Sequence, residues 1–208
     1  MKRIKSFSLG CLLLIALGSC SKKIHTLNDF SSYLNEQDNS CKVSRAVNGV
    51  VVSVQYLPAE YRAMKEWEDS SSLKRLNYDS LLQYYSQSES FIVTFGPDEA
   101  KGNQSDIMFD GVKNFQDYVE RSMELNFDLE NKVRLKAGDK EYAPVLSSLE
   151  NTYGLSKDRK VNLVFATDRK KDQYYDFMYE DETFGVGTLH FGFDKEKIKD
   201  NMPEISIN

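Results

Sequence analysis

The sequence predicts a mainly β fold with α insertions: an antiparallel β-sandwich carrying two or three helices in its first half. Three observations predict it. Runs of β-branched and aromatic residues alternating with polar ones recur about seven or eight times, turn signals separate them, and helical apolar spacing is concentrated in the first half. With 208 residues, 40% of them apolar and 28% charged, the chain can bury one substantial core, so a single domain is expected.

The first strand is predicted over 47–57, where Val50, Val51, Val52, Val54 and Tyr56 form a β-branched block that alternates in its second half. Pro58 suits the first turn of a helix, with Tyr61, Met64 and Trp67 on one apolar face. Ser70 to Ser72 offer a fresh N-cap, after which Leu73, Leu76, Leu81, Tyr84 and Tyr85 recur at near-helical spacing. Phe91, Val93 and Phe95 alternate before Gly96-Pro97, a strand ended by a turn. Asn114 caps a short amphipathic helix carrying Phe115, Tyr118, Val119, Ser122 and Met123. Leu125, Phe127 and Leu129 then alternate, which predicts strand over 124–130. Val133 to Leu146 reads as strand, turn at Gly138-Asp139, strand. Further strands are predicted at 161–165, 175–179 and 188–193, and Ile205 with Ile207 are expected at the sheet edge.

The stretch RLKAGDKEYAPV, Arg134 to Val145, resembles hairpins of immunoglobulin-like extracytoplasmic domains of bacterial lipoproteins, which implies an immunoglobulin-like sandwich. The Cys pair and central Trp of such domains are missing, and a fold resemblance carries no function.

The amino-terminal end locates the protein. Lys2, Arg3 and Lys5 precede an apolar run containing Leu12, Leu13, Leu14, Ile15 and Leu17, too short for a membrane span and laid out as a secretory signal. It ends in Leu17-Gly18-Ser19-Cys20, which resembles the lipobox of bacterial lipoprotein precursors. The resemblance implies cleavage before Cys20 and acylation of its thiol. Several acyl chains hold stably where one holds marginally, because each buried CH₂ contributes about 0.8 kcal/mol. Ser21 after the cysteine is compatible with outer-membrane sorting, and Lys22-Lys23 lacks an acidic surface-export run, so a periplasm-facing anchor is expected. The expected organisation is a signal peptide over 1–19, a lipidated tether over 20–46 with one short helix, and a single β-rich domain over 47–208. With Cys11 removed and Cys20 acylated, only Cys41 remains, without an internal disulfide partner.

Composition excludes some functions. The chain carries 27 Lys and Arg against 32 Asp and Glu, net −5, without the basic stripe needed to neutralise phosphates, so no nucleic-acid partner is expected. His25, His190 and Cys41 do not form a ligand set at metal spacing, and the acidic stretch 176–182 lacks the spaced ligands and glycine of a calcium loop, so neither metal nor cofactor is expected. Ser71-Ser72-Leu73-Lys74 spells S-x-x-K without the downstream triplets of penicillin-recognising enzymes and reads as a helix cap. No catalytic residues are assigned. The candidate binding surface consists of Trp67, Tyr84, Tyr85, Tyr174, Tyr175 and Tyr179, aromatics able to stack on sugars or anchor a protein. The leading expectation is a non-enzymatic binding or scaffold module with an envelope protein partner. The alternatives are a glycan-binding module that uses these aromatics and a hydrolase working through carboxylates.

Overall fold

The computed structural model describes residues 23–36, 39–70, 76–168 and 174–206. The chain is mainly β, with two antiparallel sheets sharing one core. The five-stranded sheet has the order β2 (Lys42–Val47), β3 (Val50–Leu57), β4 (Glu89–Pro97), β8 (Arg159–Phe165), β7 (Leu146–Leu149). The four-stranded sheet has the order β10 (Thr188–Asp194), β9 (Tyr174–Glu180), β5 (Val133–Ala137), β6 (Lys140–Tyr142). A two-residue parallel pairing, β1 (Lys23–Ile24) with β11 (Glu204–Ile205), ties the start of the described chain to its end.

Strand pleating explains the core. Side chains alternate across a sheet, so Val52, Val54 and Tyr56 of β3 point one way and pair with Phe95, Val93 and Phe91 of β4, which continue into Val161 and Leu163 of β8. On the second sheet Leu135, Phe177 and Phe191 lie side by side in the same manner. The rings interlock between the sheets: the Phe91 centroid is 5.3 Å from both Phe177 and Phe193, and Phe95 is 5.3 Å from Tyr179. Each such ring contributes about 1.5–3 kcal/mol by burial, so this layer outweighs any single surface contact. β2, β3 and β4 are consecutive neighbours, a meander. Immunoglobulin sheets interleave non-consecutive strands, so the order departs from the expected immunoglobulin-like pattern.

Four further expectations are corrected. Residues 23–46, expected as a tether, belong to the folded body from Lys23 onward. Thr26 and Asp29 form a capping box for α1 (Leu27–Leu34), whose Phe30, Tyr33 and Leu34 are buried, and β2 pairs along β3. Asp29 belongs to the cap of α1, Asn35 closes the helix and Asn39 accepts the Cys41 amide, while Asn28 and Ser32 lie on the exposed side of the helix around a narrow apolar stripe. The strand expected over 124–130 is helix: α4 (Phe115–Met123), capped by Asn114, runs through a π-helical turn, Glu124–Asp128, into α5 (Leu129–Lys132). Leu125 and Leu129 are buried together, while the intervening Phe127 is 71% exposed.

More helix is present than the two or three segments expected. α2 (Ala59–Asp69) follows Pro58, α3 (Tyr78–Tyr85) is capped by Asn77, and α6 (Lys195–Asn201) is capped by Asp194. Ser70 closes α2, and Ser71 to Lys74 lie outside the described residues. Finally, Ile205 pairs with Ile24 and not at the edge of a main sheet. No helix among the described residues is long and apolar enough to cross a membrane.

Candidate functional site

A groove of about 720 Å³ lies between α2, α3 and the outer face of β4 and β8. Its construction begins with α2. Ala63 and Met64 face the core, which leaves Arg62, Lys65, Glu66 and Asp69 along one polar face. Arg62 fixes the end of α3: its guanidinium donates to the carbonyls of Tyr85 (2.9 Å) and Ser88 (2.7 Å) and to Ser88 Oγ (3.1 Å), while lying 5.3 Å from the Tyr85 ring centroid. A cation placed there meets the carbonyls that a helix end leaves unpaired. Glu66 accepts the Tyr85 hydroxyl, which burial and then this carboxylate push up to about 12, so Tyr85 is a donor at neutral pH. Tyr61 extends the wall and stacks edge-on to Phe30 of α1, centroids 5.4 Å apart.

Tyr84 stands at the rim, 67% exposed and perpendicular to Tyr85 at 5.3 Å between centroids. Ile92 and Val164 supply apolar floor from outward strand positions, with Asn162 and Gln87 beside them. Lys65, Asp69, Gln87 and Asn162 make no side-chain hydrogen bond or ion pair among the described residues. Neither histidine lines the groove.

The aromatic residues singled out by sequence divide into four groups. Tyr84 and Tyr85 line the groove. Trp67 sits on α2, half-buried, and is not among the lining residues. Tyr174 lies on the other sheet, 57% exposed, with its hydroxyl over Gly192, where a Cβ would fall 1.9 Å from it. Tyr175 and Tyr179 are fully buried and cannot form a binding surface; alternation along β9 turns both into the core. Cys20 lies outside the described residues. Cys41 is buried and its thiol is pushed up to about 12 by burial, which makes it inert at neutral pH. His190 Nδ1 is 2.9 Å from Asp176 Oδ2 on the exposed face of the second sheet. Among the described residues no group of three or more His, Cys, Asp or Glu could hold a metal ion.

Two buried carboxylates were not singled out by sequence. Glu89, 1% exposed, accepts from Tyr56 (2.8 Å), Tyr175 (2.9 Å) and Lys195 Nζ (2.9 Å) beneath a smaller pocket of about 310 Å³. The Glu89 charge raises the Lys195 ammonium value against the opposing effect of burial, so this lysine stays charged. Glu124, on the π turn, accepts from Tyr179 (2.7 Å) and from the Thr183 hydroxyl. Asp181, within the acidic stretch 176–182, turns inward and accepts the amides of Thr183, Phe184 and Val186. These groups hold loops and sheets together, whereas the groove presents unengaged donors, acceptors and rings.

No protein-family model matches this sequence, and no curated protein matches it. A solved structure from Burkholderia pseudomallei, described as a novel protein of unknown function, aligns with 85% of this chain and 93% of its own at 9% identity and a TM-score of 0.37.

Proposed function

We propose that this protein is held by acyl chains on Cys20 in the outer membrane, facing the periplasm, and that its folded body is a non-enzymatic binding module for another envelope component. We also read the two sheets, with their shared aromatic core, as a β-sandwich scaffold for the helices that build the groove. The lipobox-like Leu17-Gly18-Ser19-Cys20 supports the anchor. The groove supports the binding role, and its chemistry carries the reading: Arg62 and Glu66 are spent on positioning Tyr85, while Lys65, Asp69, Gln87 and Asn162 stand around an apolar floor. Such a mixture fits recognition, a concave and partly apolar surface with a few convergent polar groups.

Crosslinking in intact cells followed by affinity recovery tests this reading, comparing the parent with a Tyr84→Ala, Asp69→Lys variant. A component recovered with the parent and lost with the variant is the expected result. Identical recoveries would remove the groove from consideration. Cys20→Ala should move the protein from the membrane to the soluble fraction, and unchanged membrane association would remove the anchor.

A further inference from the structure

We propose that the groove takes an uncharged glycan, a chain of sugar rings stacked on Tyr84 and hydrogen-bonded by the side chains around it. The inference rests on the reading of this groove as the binding site and names its ligand class. Charge is the first argument. Arg62 and Lys65 stand against Glu66 and Asp69, two cations and two anions along one helix face, so the lining carries no net charge that would select a polyanion or polycation.

The second argument is the kind of polar group left open. Lys65 donates, Asp69 accepts, and the amides of Gln87 and Asn162 do both, which matches a ligand whose hydroxyls also do both. The third is Tyr84. Packed edge-on against Tyr85 at 5.3 Å, an aromatic ring 67% exposed offers a face to the apolar side of a sugar ring and loses little freedom when covered.

A polypeptide fits less well. The floor is the outer face of β4 and β8, two adjacent interior strands of the five-stranded sheet, whose backbone amides are already spent on strand pairing. An extended peptide laid there would gain no ladder of main-chain bonds, and its own amides would need partners. Sugar hydroxyls need no main-chain ladder and are met by side chains of the kind left open here.

Isothermal titration calorimetry with the full-length protein in detergent micelles tests this. The N-acetylglucosamine tetramer stands for wall-type strands, the glucose tetramer for unacetylated glucans, and alginate oligomers serve as the anionic comparison. Saturable binding of at least one neutral tetramer, with none of alginate, is expected. Tyr84→Ala should weaken it about three- to tenfold, the usual worth of one aromatic stack, while Tyr84→Phe should retain it. A neutral tetramer bound equally by Tyr84→Ala, failure of both neutral tetramers to bind, or alginate binding as tightly, would overturn the proposal. If the neutral tetramers fail while crosslinking recovers a protein that depends on Tyr84 and Asp69, the glycan assignment is wrong and the binding role stands. If Tyr84→Ala leaves tetramer binding unchanged and the Tyr84→Ala, Asp69→Lys variant leaves crosslinking recovery unchanged, both are wrong.

Discussion

Glu124 should make this fold less stable as pH rises above the ordinary carboxylate range, and Glu124→Gln should remove that loss. The reason is a count of protons. Tyr179 Oη lies 2.7 Å from Glu124 Oε1 and 3.0 Å from Asp181 Oδ1, yet a phenol has one hydrogen to give. Asp181 already accepts three backbone amides, so its oxygens serve here as acceptors. As a carboxylate Glu124 competes with Asp181 for that phenol hydrogen; once Glu124 takes up a proton the bond reverses, so that Glu124 donates to Tyr179 and Tyr179 donates to Asp181, with the Thr183 hydroxyl on the other Glu124 oxygen.

Burial, with 4% of the residue exposed, raises the Glu124 value, and the Asp181 charge adds to the rise. The Thr183 and Tyr179 hydroxyls and Lys132 oppose it. Lys132 is itself engaged with Glu182, and Arg121 is turned toward the Ile107 carbonyl and the Phe184 ring. A carboxyl whose folded value is raised stabilises the fold fully below its unfolded value, near 4.5, and loses that contribution as pH rises through the folded value.

Gln at 124 keeps one donor and one acceptor in the same places without a charge. Leaving a buried polar group ill-matched costs about 1–3 kcal/mol, so at pH 8 Glu124→Gln should exceed the parent by roughly that amount. At an m-value of about 2 kcal/mol/M this is a shift of about 0.5–1.5 M in the urea midpoint. Fluorescence of the single tryptophan, Trp67, reports the transition from pH 4 to 8. The two proteins should coincide near pH 4 and diverge upward. Parallel profiles across that range, or a variant weaker than the parent at pH 8, would refute the proton assignment.

Phe91→Ala should cost about 3–5 kcal/mol by emptying the centre of the aromatic layer, whereas Phe115→Ala, on the exposed face of α4, should change the urea midpoint little. Cys41 should resist a thiol reagent at pH 8 in the native protein and react at once in urea; rapid labelling of the folded chain would place it wrongly. Gly192→Ala should push the Tyr174 ring off the strand, so its stability cost should vanish in a Tyr174→Ala background, a coupling that a double-mutant cycle measures directly.

How much of this was legible in the sequence depends on whether one element or several had to be known. β3 was legible because Val50, Val52, Val54 and Tyr56 state the pleat themselves, and the β5–β6 hairpin because Gly138 supplies the left-handed turn residue at φ 58°. Helix α6 had a signal that went unread, Asp194 followed by Lys-Glu-Lys-Ile-Lys, an N-cap before strong helix formers. The stretch 124–130 was ambiguous for a definite reason. Leu125 and Leu129 stand four apart, a spacing that satisfies both a strand and a helix, and only the exposure of Phe127 between them decides the matter.

The tyrosine doublets show the same division. In a strand, neighbours point to opposite faces, so one of Tyr174 and Tyr175 had to be inside, but the sequence alone does not say which. On α2, Arg62, Lys65, Glu66 and Asp69 follow helical spacing and read as an ordinary solvated face. What turns that face into a groove is contributed from elsewhere: the end of α3 returning under the Arg62 guanidinium, Ile92 on an outward position of β4, and Asn162 opposite it on β8. Each position follows a local rule that is satisfied equally well without the others. A groove assembled in this way leaves no motif, so the aromatic content pointed to Tyr84 and Tyr85 while the polar half of the groove emerged only when three distant segments met.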